Sequence, residues 1–126
     1  MKQIIETNNA PAPIGPYSQA VKANNVLYTS GQIAIDPKTS TLKLGTISEE
    51  TTLVMENLKA VVEAAGMNMS QVVKCSIFIS NMNDFAAINA IYGQYFDSST
   101  APARETVQVA CLPKNVNVEI SAIVVA

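Results

Sequence analysis

The chain has 126 residues, 48% of them hydrophobic and only 14% charged, which fits one domain spanning 1–126 and favours a homo-oligomer over a free monomer. It contains no histidine, which excludes the usual Ser-His-Asp or Cys-His nucleophile and a His-ligated zinc. A net charge of -2 and a pI near 5.0 disfavour nucleic acid as a partner, since that affinity rests on clustered Lys and Arg.

Met1 to Pro11 has no apolar segment of the kind a secretory signal carries, and no apolar run reaches transmembrane length. A soluble, cytoplasmic protein with no membrane partner is expected. Lys2 to Glu6 has the composition of a short strand. Asn8 to Pro16 then supplies three prolines and a glycine, which forbid helix and hold an extended loop leading to Tyr17. Ser18–Lys22 and Val26–Ser30 read as a hairpin turned at Asn24-Asn25, because Asn tolerates positive φ. Gly31 interrupts the end of that hairpin, a place where backbone and ligand can approach closely.

Asp36 to Gly45 reads as a polar turn, and Thr46-Ile47-Ser48-Glu49 fits a capping box. A helix over Ile47–Ala65 follows, with Val54, Leu58, Val61 and Ala65 as its apolar stripe and Gly66 as its stop. Gln71–Ser80 is a central strand with Val73, Cys75, Ile77 and Ile79 on one face. A second helix, capped by Asn83, extends to about Phe96. Arg104–Ala110 and Val116–Val125 read as two strands of a terminal hairpin. The order predicts an α+β domain: a mixed sheet with two helices packed on one face.

Of the eight basic residues only Arg104 is an arginine. If the terminal hairpin turns at Leu112-Pro113, Thr106 lies opposite Glu119 and Arg104 opposite Ser121. Val107 then faces Val118 and Val109 faces Val116 on a core side. In that register Arg104, Thr106 and Glu119 share a polar face. A guanidinium grips a carboxylate through two parallel hydrogen bonds, and a nearby glutamate can hold or activate water. The pair equally reads as a structural salt bridge, the commoner fate of exposed charges. Tyr17 reads either as packing on the proline-rich loop or as a pocket wall with its hydroxyl free. Cys75 is most simply a small buried hydrophobe, and nothing nearby in sequence marks Cys111 as a nucleophile.

Several motifs together resemble the RidA family, also called YjgF or reactive intermediate deaminases. They are Ala12 to Ala20 (APIGPYSQA), Ser30-Gly31-Gln32-Ile33, Asn57 to Ala60 with Ala64-Ala65-Gly66, Pro102-Ala103-Arg104, and Leu112-Pro113-Lys114 with Val118-Glu119-Ile120. They run in order over essentially the whole chain. The resemblance implies a chorismate-mutase-like fold and a homotrimer with a central β-barrel and three sites in the clefts between subunits. It implies hydrolysis of enamine and imine intermediates, such as 2-aminoacrylate, 2-iminopropanoate and 2-iminobutanoate, to 2-oxo acids and ammonia, with no metal or organic cofactor. It assigns Arg104 to the substrate carboxylate, Glu119 to the attacking water, and Tyr17, Ser30, Gly31, Asn89 and the backbone of Thr106 to the pocket. The chain departs from the family pattern at Glu105, where a small serine is usual, at Thr106, where many relatives carry cysteine, and at Cys111, where arginine is common. The competing reading is a noncatalytic trimeric binding protein for small 2-oxo acids or related carboxylates.

Overall fold

A computed structural model describes all of residues 1–126. The elements in chain order are β1 Gln3–Ile5, β2 Ala20–Ala23, β3 Val26–Thr29, β4 Ile35–Asp36, β5 Thr41–Leu42, α1 Ile47–Ala64, β6 Val72–Ile79, α2 Phe85–Tyr92, β7 Ala103–Gln108 and β8 Val118–Val125. Six strands form one mixed sheet in the order β1-β2-β3-β8-β6-β7, and β4 and β5 form a separate small ribbon within the segment expected to be a turn.

Local chemistry accounts for most boundaries. Asn24 and Asn25 adopt φ of 51° and 65°, the mirror-image turn that lets β2 and β3 keep their twist. Thr46 Oγ1 accepts from the Glu49 amide at 3.1 Å while Glu49 Oε1 accepts from the Thr46 amide at 3.2 Å. The capping box therefore forms as its spacing predicts. Gly66, at φ 76°, closes α1 by donating to the Glu63 carbonyl at 2.9 Å.

Both helices lie on one face of the sheet, and the core sits between. Val54, Met55, Leu58, Val61 and Val62 of α1 and Ile88 and Tyr92 of α2 pack there against Leu27, Cys75, Ile77, Ile79, Val118, Ile120, Ala122 and Val124. Each fully buried aliphatic side chain of this kind contributes about 1.5–3 kcal/mol. A bulge between Val72 and Lys74 turns Val73 outward, so Val72 takes the core position that alternation alone gives to Val73. The second helix is shorter than expected. Asn81 rather than Asn83 provides a side-chain cap, to a single 3-10 turn at Met82–Asp84, and another such turn at Gly93–Tyr95 follows α2.

The largest departure concerns the C-terminal strands, which do not form a hairpin. β7 pairs with β6 in parallel, with Arg104 beside Cys75, Thr106 beside Ile77 and Gln108 beside Ile79. β8 pairs antiparallel with the other edge of β6, with Cys75 beside Ala122, Ile77 beside Ile120 and Phe78 beside Glu119. The connection between β7 and β8 straddles the end of β6, where the Val109 amide donates to the Ile79 carbonyl and the Ser80 amide to the Asn117 carbonyl. Arg104 and Thr106 therefore point to the helix-covered side, with the core residues Cys75 and Ile77. Glu119 points to the opposite, open side with Phe78, Glu105 and Val107. The expected face shared by Arg104, Thr106 and Glu119 does not exist within one chain, and Val107 does not pack on Val118. Glu105, which that register put in the core, instead meets Lys74 at 2.9 Å and accepts from Ser76.

Candidate functional site

Glu119 lies in a cleft of about 570 Å³ walled by the proline-rich loop, the segment after β3 and the Pro113–Lys114 turn. Such a volume suits a small organic ligand. Of the residues the family resemblance assigned to the site, Tyr17, Ser30, Gly31 and Glu119 line it, and Asn89, Arg104 and Thr106 do not. The loop is held by Gln19, which is 3% exposed. Its amide nitrogen faces the carbonyls of Thr7, Ala10 and Pro11 at 3.0, 3.2 and 2.9 Å, while its oxygen accepts from the Thr7 amide at 2.7 Å. The Tyr17 hydroxyl accepts from the Ile14 amide at 3.2 Å, and the Ser30 hydroxyl donates to the Ser18 carbonyl at 2.6 Å. Tyr17 thus braces the loop and walls the cleft, with its hydroxyl engaged by the loop rather than free.

The Glu119 carboxylate lies directly against Gly31. A methyl group on Gly31 would sit 2.6 Å from Glu119 Cδ and 2.8 Å from Oε1, so only glycine leaves room for the carboxylate at this place. Burial raises the pKa of Glu119 above the ordinary carboxylate value. Arg104 does not offset that rise, because the two residues do not meet. Two residues that sequence reasoning left out also shape the cleft. Lys114, left-handed at φ 56°, contributes to its wall. Asn57, 1% exposed, donates to the Ile33 and Ile35 carbonyls at 3.1 and 2.9 Å and pins the opposite wall. Neither carries a sequence signal beyond membership of a motif, since each acts through a backbone conformation or a distant segment.

Arg104 forms a second cluster on the helix-covered side. Its Nη1 donates to Asn89 Oδ1 at 2.6 Å, and its Cζ lies 5.6 Å from the Phe85 ring centre and 5.0 Å from that of Tyr92. Arg104 is exposed and pairs with no carboxylate; the one close ion pair of the chain is Lys74 with Glu105. Thr106 is its neighbour on this face, with a buried hydroxyl oxygen that has no hydrogen-bond partner. Cys75, beneath them, is an inert thiol whose pKa burial pushes up to about 11.

The two clusters are far apart in one chain. β7 and β8 are separated by β6, a distance of about 10 Å, and the register offsets Arg104 from Glu119 by three residues, about another 10 Å. Together these put the two Cα atoms about 14 Å apart with side chains on opposite faces. A single chain therefore displays an unpaired cation at one place and a desolvated carboxylate in a cleft at another.

Comparison with known proteins adds four findings. The family model described as Endoribonuclease L-PSP matches residues 7–126. A protein of the mite Dermatophagoides farinae named 2-iminobutanoate/2-iminopropanoate deaminase is 54% identical over 98% of this chain and 96% of its own length. Among solved structures, a Yersinia pestis protein described as belonging to the conserved Rid protein family superposes with a TM-score of 0.96 at 46% identity, covering 100% of both chains. E. coli TdcF, solved with bound serine, superposes with a TM-score of 0.93 at 45% identity and covers 98% of each.

Proposed function

This chain belongs to the endoribonuclease L-PSP family, the family of the Rid proteins, and from that premise we propose that it is a deaminase of small enamine and imine acids. Its substrates are 2-aminoacrylate and the tautomeric 2-iminopropanoate, with the four-carbon 2-iminobutanoate, and its products are 2-oxo acids and ammonia. The observation that carries the reading is the pair of complementary half-sites: an arginine lacking a counter-ion and a desolvated glutamate in a cleft. A working site then needs Arg104 of one copy and Glu119 of a neighbour, which is the arrangement a homotrimer with sites between subunits supplies. The open face of the sheet supports association, since Ile4, Tyr28, Val107 and Val125 are each 40–51% exposed there.

The chemistry needs few groups. Protonation of 2-aminoacrylate at its methylene carbon gives the iminium ion, the protonated form of 2-iminopropanoate, whose C2 is electrophilic. Arg104 holds the carboxylate, so that C2 is presented in one orientation. Glu119 takes a proton from water as the oxygen bonds to C2, forming a carbinolamine. It returns that proton to the nitrogen and then, as the C–N bond breaks, takes the hydroxyl proton so that the C2 carbonyl forms; ammonia leaves with the 2-oxo acid behind. The raised pKa of Glu119 suits both halves of this transfer.

The test compares wild type with Arg104→Lys, at equal oligomer content, for pyruvate and ammonia release from freshly generated 2-aminoacrylate. Wild type accelerates the release over spontaneous hydrolysis, and the lysine variant loses about ten- to a hundredfold in kcat/KM, the worth of charged hydrogen bonds that a point charge cannot reproduce. A folded wild-type protein that gives no acceleration overturns the deaminase reading and favours a carboxylate-binding protein.

A further inference from the structure

We propose that Phe85, Asn89 and Tyr92 form a positioning clamp that sets the plane of the Arg104 guanidinium and preserves its charge for an anionic ligand. The inference rests on the carboxylate-binding role just proposed for Arg104. Phe85 and Tyr92 are seven residues apart on α2, two turns along one face, with Asn89 between them. The guanidinium carbon lies over both rings, 5.6 Å from the centre of Phe85 and 5.0 Å from that of Tyr92. Tyr92 is itself held: it is 5% exposed, and its ring lies 4.9 Å from that of Phe96 at 47°.

The polar partner is chemically telling. Asn89 Oδ1 occupies Nη1 at 2.6 Å but brings no negative charge. An aspartate there would orient the guanidinium equally well and neutralise it. The neutral amide and two ring faces fix a full positive charge and leave its remaining N–H groups unengaged by the protein. A lysine at 104 lacks the planar group that such a clamp holds. The sequence marks Phe85 and Tyr92 only as part of an apolar helical stripe, which hides this use.

The experiment has three readouts on the full-length protein: KM and kcat with 2-aminoacrylate, the dissociation constant of pyruvate as a carboxylate probe, and the NMR signals of the Arg104 guanidinium. Phe85→Leu and Tyr92→Leu should raise KM and the pyruvate constant about threefold to thirtyfold with kcat changed less than twofold. The Arg104 side-chain signals should then broaden or average. Tyr92→Phe keeps the ring and should restore wild-type values, because the hydroxyl has no hydrogen-bonded partner. Asn89→Asp should raise KM at least as much as either leucine variant while leaving the guanidinium ordered. Ile88→Val, which loosens the core face of the same helix, should lower stability without moving any of the three. Wild-type pyruvate affinity and wild-type Arg104 signals in both leucine variants overturn the clamp. If wild type turns over no 2-aminoacrylate but the NMR signals respond as stated, the deaminase reading fails and the clamp stands.

Discussion

Gly31→Ala isolates what close packing does for Glu119. The backbone at Gly31 is not in the left-handed region, so alanine brings no backbone strain, and the added methyl meets only the end of the Glu119 side chain. The 2.6 Å contact with Cδ must open to about 3.4 Å, the near limit of ordinary van der Waals contact. The carboxylate therefore moves by about 0.8 Å, at an off-rotamer cost of about 0.5–1.5 kcal/mol and a few degrees in Tm. A misplacement near 1 Å costs about a hundredfold in rate, or about 2.7 kcal/mol in the barrier. The expected variant is thus folded, slightly less stable, and about a hundredfold weaker in kcat/KM for 2-aminoacrylate hydrolysis. Adding Glu119→Gln to Gly31→Ala should then cost nothing beyond Glu119→Gln alone, since both act through one group. Wild-type activity in the alanine variant, or full additivity in the double variant, refutes the reasoning.

Burial holds the folded pKa of Glu119 above its unfolded value. The acid limb of kcat/KM should accordingly fall at a pH above that of an ordinary glutamate, a shift read from the pH–rate profile. The same burial makes ionised Glu119 a cost to the fold. Its contribution to stability is greatest below the unfolded pKa and is lost as pH rises through the folded one, so Glu119→Gln should raise Tm at pH 7 and not at pH 4. Glu50, 1% exposed, accepts from the Asn117 amide at 2.8 Å and from its side-chain nitrogen at 2.7 Å. Glu50→Ala strands two donors and should cost about 3 kcal/mol in urea unfolding. Arg104→Lys and Glu119→Gln chains, each weak alone, should recover activity when unfolded and refolded together. Random assembly into a ring restores about a quarter of sites that lie between subunits, whereas sites within one chain recover none.

The amino-acid sequence by itself determined the local elements, because each depends on residues a few positions apart. The Thr46–Glu49 box starts α1, Asn24-Asn25 turns the first hairpin, and Gly66 ends the helix. The motifs also singled out Arg104 and Glu119, and the lone arginine stood out by count alone. What sequence could not fix was the partner of β7. A strand of alternating residues offers the same pattern to any neighbour, and short connections make a hairpin the first guess. Here β6, apolar on its core face and paired along both edges, lies between β7 and β8. That pairing reverses the face Arg104 occupies, moving it from Glu119 to the ring faces of Phe85 and Tyr92. Local periodicity carries the identity of the chemical groups; long-range strand pairing, where the free energy of β6 burial outweighs the loop-closure cost, decides which of them meet.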